Sequence, residues 1–349
     1  MIHIAYTSEI KKPADFTKDE VDRWSYIQSQ SVHLQKAFLS FSFSLAVASL
    51  HPFAQVCIIR KKREIVAFLP FEFKDLFHKK IKVAERIGGE LSDYFGIIAV
   101  SDFVISMRQL SRLCGINFMH YTHLDQSQTA YGFPEESPEK VLLINIGTSG
   151  AEYFQKLKEK NNKFILDTAR QERKIEKDIG YLKFCYNVPL ERRQTVLEEL
   201  IQQKREQYLR TNVPDCLDEK WKRVLLHKLA AVDNEDCKGI LSTLHAGEML
   251  IACHFGLQGH DIFHYWFPVY NPKVAKYSPG RLLLKYLILS STSLRYPFAV
   301  IDMGAGVTKA KTDFANAEHL SLRGNIYSVN FTACAYRLFC SLKWRCQKK

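Results

Sequence analysis

At 349 residues and 46% apolar composition, the chain is too long for one small core and too apolar for a disordered one, so two domains are expected. Its formal net charge of +12 is scattered through Arg60–Arg63, the block Lys156–Lys177 and the last residues; acids interleave in the middle block, so it suits a solvated face or a field that attracts anions, and DNA is not an expected partner. The nine cysteines form no C-x-x-C pair and most lie in apolar runs such as Val56-Cys57-Ile58, which argues against a metal site and for reduced, buried thiols in the cytoplasm.

Residues 21–50 read as one or two helices, and their weakly polar stretch Ala37–Leu50 is far short of the ~20 residues of a membrane span. The start of the chain has no basic-then-apolar secretory pattern. Strands are expected over Gln55–Arg60 and Ile65–Phe73, with Pro70 at an edge or bulge, then over Lys82–Ile87 and Ile97–Val100 around the glycine loop Gly88–Gly96. A helix over Asp102–Cys114 and a strand over Ile116–Tyr121 follow, then a turn-rich connection over Leu124–Glu139 and a buried strand, Val141–Ile146.

Two charged helices, Ala151–Ile179 (with a break near Asn161-Asn162) and Glu191–Arg210, precede a third over Leu217–Val232. Gly239–His245, Met249–Leu257 and Ile262–Tyr270, joined by short polar turns, predict an antiparallel meander. The helix Gly280–Leu294 and the strand Phe298–Asp302 complete the order. Gln55–Phe73 and Lys238–Leu257 echo each other, so the expected fold is α/β of the α+β type. It has tandem units, each a mixed, mostly antiparallel sheet flanked by helices: 1–140, 141–330 with an anion-binding turn, and a basic tail 331–349.

That turn is Tyr277-Ser278-Pro279-Gly280-Arg281-Leu282. A glycine where strand gives way to helix suits either a phosphate-type anion at the helix N-terminus or simple turn geometry. Asp302, before a glycine turn, suits either orientation of a substrate hydroxyl or ammonium, or capping of the next helix. His254, with His245 and His264 as weaker candidates, is either a satisfied strand histidine or a base. Asp93 with Tyr94, and Lys204 with Tyr208 at helical i,i+4 spacing, suit a substrate cleft or packing between domains.

The strings LSTLHAGEMLIACHFG, YWFPVYN, YSPGRLLL and DMGAGVTKAK, with IVAFLPFEF, GGELSDYFGIIA and LIQQKREQY earlier, give a resemblance over about Ala37–Thr312. They resemble the CelD/BcsL-type GNAT acyltransferases of cellulose and exopolysaccharide synthesis, themselves similar to the Fem-type peptidoglycan bridge transferases. The resemblance implies an N- or O-acyltransferase with acetyl-CoA or another acyl-CoA as co-substrate and no metal. Its acceptor would be a sugar, nucleotide-sugar or surface-polysaccharide precursor. It places the acyl carrier at Tyr277, Ser278, Gly280, Arg281 and Leu282, and puts Asp302 and Lys311 in the chemistry, to which His254 adds a candidate base from its own residue type. Lys311 matches the lysine that the Fem-type relatives assign to the reacting carbonyl, while Ala310 stands where the family has tyrosine. It also implies peripheral contact with a membrane or a polysaccharide synthase. Aminoacyl-tRNA-dependent transfer to a peptidoglycan precursor, and a non-catalytic accessory role, are the alternatives.

Overall fold

The computed structural model describes residues 6–294 and 297–328; the expected tail 331–349 lies outside them. One unit is drawn from Met1–Glu139 and Leu320–Lys349, the other is Lys140–His319.

In the first unit, β1 (Tyr6–Lys11) leads to α1 (Lys18–Ser29), whose start is fixed reciprocally by the Thr17 hydroxyl and the Glu20 carboxylate, each accepting the other's backbone N–H. Ser40 caps α2 (Phe41–Ala48) in the same sense. β2 (Ala54–Lys61), β3 (Glu64–Glu72), α3 (Leu76–Ile81), β4 (Val83–Arg86), β5 (Ile98–Ala99), α4 (Met107–Leu113) and β6 (Phe118–Asp125) follow. The helix expected over Asp102–Cys114 starts later because the Ser106 hydroxyl accepts the Gln109 N–H and caps it there. Trp24, fully buried, stacks on Phe68 at 4.8 Å and donates its indole N–H to the Leu39 carbonyl, which ties α1 to the sheet. Pro70 lies within β3, paired to Val56 of β2. On the strand's other side β5 pairs at Ala67 and Phe68 and β4 at Phe71 and Glu72, so proline falls at the gap between them.

The second unit contains β7 (Glu139–Asn145), α5 (Gly150–Lys160), α6 (Asn162–Asp178), β8 (Leu182–Cys185), α7 (Leu190–Thr211), α8 (Lys220–Ala230), β9 (Lys238–Ala246), β10 (Met249–Gly259), β11 (Ile262–Tyr270), α9 (Pro279–Ser290), β12 (Val300–Ala305) and α10 (Lys309–Thr312). Its sheet order is β8-β9-β10-β11-β12-β7, antiparallel except for the parallel pair β11–β12. α7 packs on β10 and β11 and α8 on β9, while α9 packs on the sheet beside α5 and α6. Leu284, Leu287 and Ile288 of α9 meet Ile144, Ile240, Phe263 and Ile301 in the core of that second layer.

The first unit has the corresponding order β1-β2-β3-β4-β6, with β4–β6 as its parallel pair. It ends on β13 (Ala317–Tyr327), whose residues Ser321–Tyr327 pair antiparallel with β6. In the first unit β1, α1 and α2 lead into the meander and its parallel pair; in the second β8, α7 and α8 do so, after β7, α5 and α6. The echo between Gln55–Phe73 and Lys238–Leu257 is β2–β3 against β9–β10.

Candidate functional site

β11 and β12 pair only at Ile262–Val300, Phe263–Ile301 and His264–Asp302, and then part. β11 runs on to Tyr270 beside β10, while β12 turns at Gly304, whose φ of 70° suits glycine. At the last shared rung the buried His264 and Asp302 face each other, Nδ1 to Oδ2, at 3.6 Å. Asp302 Oδ1 also accepts the Gly304 N–H at 2.8 Å. Lys311 holds the same turn from α10: its ammonium donates to the carbonyls of Gly304, Ala305 and Gly306 at 3.2, 2.8 and 3.2 Å. Asp302 and Lys311 therefore shape one arm of a fork.

His254 shapes the other. Tyr265 and Trp266 of β11 stand opposite the single Gly256 of β10, a bulge. His254 Nε2 accepts the Trp266 N–H at 3.0 Å, and the ring lies 4.1 Å from Tyr265 at 7°. With Nε2 accepting, a neutral ring carries its proton on Nδ1, which meets no partner among the described residues. Complete burial, reinforced by the Lys204 charge, pushes this histidine well below its ordinary pKa and keeps it neutral. A Cβ at Gly256 would drive into the His264 carbonyl and the His254 ring, so only glycine fits the bulge.

The turn before α9 is sparing with donors. Ser278 is left-handed (φ 55°, ψ 50°) and gives α9 no side-chain cap. Pro279 has no N–H, and those of Arg281 and Leu282 both reach the Ser278 carbonyl, at 3.0 and 3.2 Å. Among the described residues no acceptor outside the helical segments takes the Gly280 N–H, and a Cβ there would touch nothing nearer than Tyr270 at 3.8 Å. Tyr277 is buried and donates its hydroxyl to Asp178 at 2.7 Å; Leu282 lies in the core with Leu244 and Ile251. Arg281 lies 4.8 Å over the Phe164 ring and donates to Asp167 at 2.7 Å.

Arg281 also opens onto a groove of about 710 Å³ between the start of α6, the first turn of α9, and α10. Lys163, Arg170, Arg281 and Lys309 give it four cations against Asp167 and Asp313, and Leu166, 57% exposed, gives it an apolar wall. α9 follows β11 and α10 follows β12, so the groove is lined by the helices that succeed the two arms of the fork. Two of its cations, Lys163 and Arg170, lie in the charged block Lys156–Lys177; the helical spacing of Lys163, Leu166 and Arg170 on α6 is the signal that puts three of the lining residues on one face.

Lys204 is nine-tenths buried on α7, with its ammonium 3.3 Å from the Pro268 carbonyl, 3.4 Å from Gln207 and 5.3 Å from the Tyr208 ring. Burial lowers its pKa to about 8, opposed weakly by Cys216, to which the Tyr208 hydroxyl also lies close at 3.2 Å.

Asp93 and Tyr94 belong to the first unit. Tyr94 is buried under Lys36, whose ammonium is 4.5 Å from its ring and 3.8 Å from Asp125. Asp93 is the foremost of the acids that oppose the burial of Arg86. Arg86 spans the first unit's own parallel pair: it follows the β4–β6 rungs and bonds Thr122 and His123 on β6. A further parallel bridge, Phe95–Leu124, ties the loop that follows β4 to β6 there. The first unit's fork is thus closed by its own side chains and backbone. Among the described residues no cluster of His, Cys, Asp or Glu could hold a metal ion, and no helix is long and apolar enough to cross a membrane.

Residues 163–312, from the start of α6 to the end of α10, match the family model described as an acetyltransferase (GNAT) domain. No curated protein sequence matches the chain. Among solved structures it is similar to FemX, with a TM-score of 0.57 at 10% identity over 95% of this chain and 99% of that one. The C-terminal domain (DUF2156) of a proposed lysylphosphatidylglycerol synthetase from Agrobacterium fabrum gives 0.52 at 10% identity, over 91% and 94%. A conserved protein of unknown function from Bacteroides thetaiotaomicron VPI-5482 gives 0.50 at 12% identity, over 91% and 99%. At these identities the likeness is one of fold. The second unit carries a GNAT domain, and the protein is by class an acyltransferase.

Proposed function

We propose that the protein is an acyl-CoA-dependent N- or O-acyltransferase of the CelD/BcsL type. It acts on a sugar, nucleotide-sugar or surface-polysaccharide precursor in the cytoplasm, with the acyl-carrier site in 141–330. The observation that carries this reading is the basic groove lined by the helices that follow the parted strands β11 and β12. The residues fit a polyanionic carrier: the Gly280 N–H and the Arg281 guanidinium lie at the first turn of α9, and Lys163, Arg170 and Lys309 line the groove. The poverty of backbone donors at the turn shifts the weight of anion binding onto these side chains.

In the reaction, the acceptor nitrogen or oxygen forms a bond to the thioester carbonyl carbon, the carbon–sulfur bond breaks, and the thiolate leaves with the acceptor's proton. A backbone N–H of β11 beyond the fork, other than that of Trp266, which His254 already accepts, is the donor we assign to the developing oxyanion. His254, Asp302 and Lys311 each already hold a backbone group, so we assign them to fixing the two arms rather than to direct proton transfer. Lys204, with Tyr208, and Asp93, with Tyr94, are the proposed acceptor-binding positions.

Calorimetric titration with acetyl-CoA and longer acyl-CoAs tests the reading. Binding should weaken at least tenfold in Lys163→Glu/Lys309→Glu, and be lost in Gly280→Glu; no binding of any acyl-CoA refutes it. The same basic groove keeps a second reading, an aminoacyl-tRNA donor. That donor would show as steeply salt-dependent tRNA binding.

A further inference from the structure

The short helix α3 presents an arrangement that neither the fold nor the acyl-transfer site explains. Leu76 and Phe77, adjacent in sequence, are 72% and 64% exposed. Single exposed apolar residues are ordinary, and Tyr181 and Leu209 elsewhere on the chain are such cases. Here the two stand together at the start of a helix pinned by Asp75, which accepts the His78 N–H at 2.8 Å and pairs with its ring at 2.7 Å. Lys74, Lys79, Lys80 and Lys82 surround them, all exposed. Among the described residues none of these four ammonium groups lies within 4.0 Å of a carboxylate. Asp75 is the one acid between residues 74 and 82.

We propose that α3 and its flanks dock the first unit onto an anionic lipid bilayer. Leu76 and Phe77 enter the interface, and Lys74, Lys79, Lys80 and Lys82 reach the lipid phosphates around them. Two features favour a bilayer over a folded partner. The lysines lie on both sides of the apolar pair, at 74 and at 79–82, so a continuous sheet of negative charge meets all of them at once. Their long stems also let the charged heads stay in water while the apolar tip is buried, which is how such residues sit at a membrane surface. The apolar tip is only two side chains, too small for irreversible insertion, so binding is reversible and depends on anionic lipid.

The test is co-sedimentation of the full chain with vesicles of phosphatidylcholine alone, and of phosphatidylcholine with about one quarter phosphatidylglycerol. The wild type should bind the anionic vesicles and not the neutral ones. Leu76→Ser/Phe77→Ser should lower that binding at least about tenfold, and Lys79→Gln/Lys80→Gln by roughly tenfold or more. All four side chains are exposed, so circular dichroism of both variants should match the wild type. No binding of the wild type to anionic vesicles overturns the proposal, as does binding unchanged in Leu76→Ser/Phe77→Ser. It is equally overturned if the wild type self-associates in ultracentrifugation, binds no vesicles, and becomes monomeric in that variant, which makes the patch a contact between copies.

Discussion

Replacing Lys204 by Met removes an ammonium that the fold buries at a cost while keeping most of the side chain's volume. Burial takes this group from 10.5 to about 8, which corresponds to roughly 3 kcal/mol of destabilisation while the folded state holds the proton. Below pH 8 both folded and unfolded chains are protonated, so the full cost is present at pH 7. Between pH 8 and 10.5 the unfolded chain keeps a proton the folded one has released, and wild-type stability recovers as pH rises. The substitution also gives up the long bonds to Gln207 and the Pro268 carbonyl, together worth about 1 kcal/mol or somewhat more. A net gain of about 1–2 kcal/mol at pH 7 should therefore appear, or a rise of roughly 3–6 °C in Tm. Urea and thermal unfolding at pH 7 and pH 10 measure it, and the advantage of Lys204→Met should shrink or reverse at the higher pH. A variant less stable than wild type at pH 7, or an advantage independent of pH, would refute the reasoning. If Lys204 binds the acceptor, the same variant should raise its KM while gaining stability.

Gly256→Ala should destabilise by about 1–3 kcal/mol in urea unfolding, because the new methyl meets the His264 carbonyl and the His254 ring. His254 stays neutral when folded, so the unfolded chain alone takes up its proton below about pH 6.5 and stability falls as pH drops through that range. In His254→Gln that acid slope should flatten in thermal unfolding between pH 7 and 5. Lys311→Met strips three carbonyls of their ammonium donor and should cost roughly 1–3 kcal/mol, with hydrogen exchange in Gly304–Gly306 rising more than in β9.

The meander β9–β11 and the helix α9 are legible in the sequence because alternation, short polar turns and an apolar helical stripe all agree there. β8 is not: Leu182–Cys185 is a four-residue edge strand with every residue half-buried or exposed, so it carries no alternation to read. β13 is hidden for a similar reason, since Ala317–Tyr327 mixes charged and apolar residues, with Arg323 opposite a bulge at Thr122-His123 of β6. At the site, the strand–glycine–helix punctuation marks where an anion could sit, but not which side chains face it. Leu282 turns into the core on the apolar face of α9 with Leu283, while Tyr277, in the turn before that helix, is drawn in by its hydroxyl's bond to Asp178. The bond from Trp266 to His254 depends on a bulge register that no local pattern encodes.

β13 is separated in sequence from β6, the strand it pairs with, by the whole of the second unit. During synthesis residues 118–125 emerge long before residues 321–327, and until then the edge of β6 that β13 covers stays open to other strands. For the same reason a truncation at residue 319 removes no part of the second unit, yet leaves the first without its final strand.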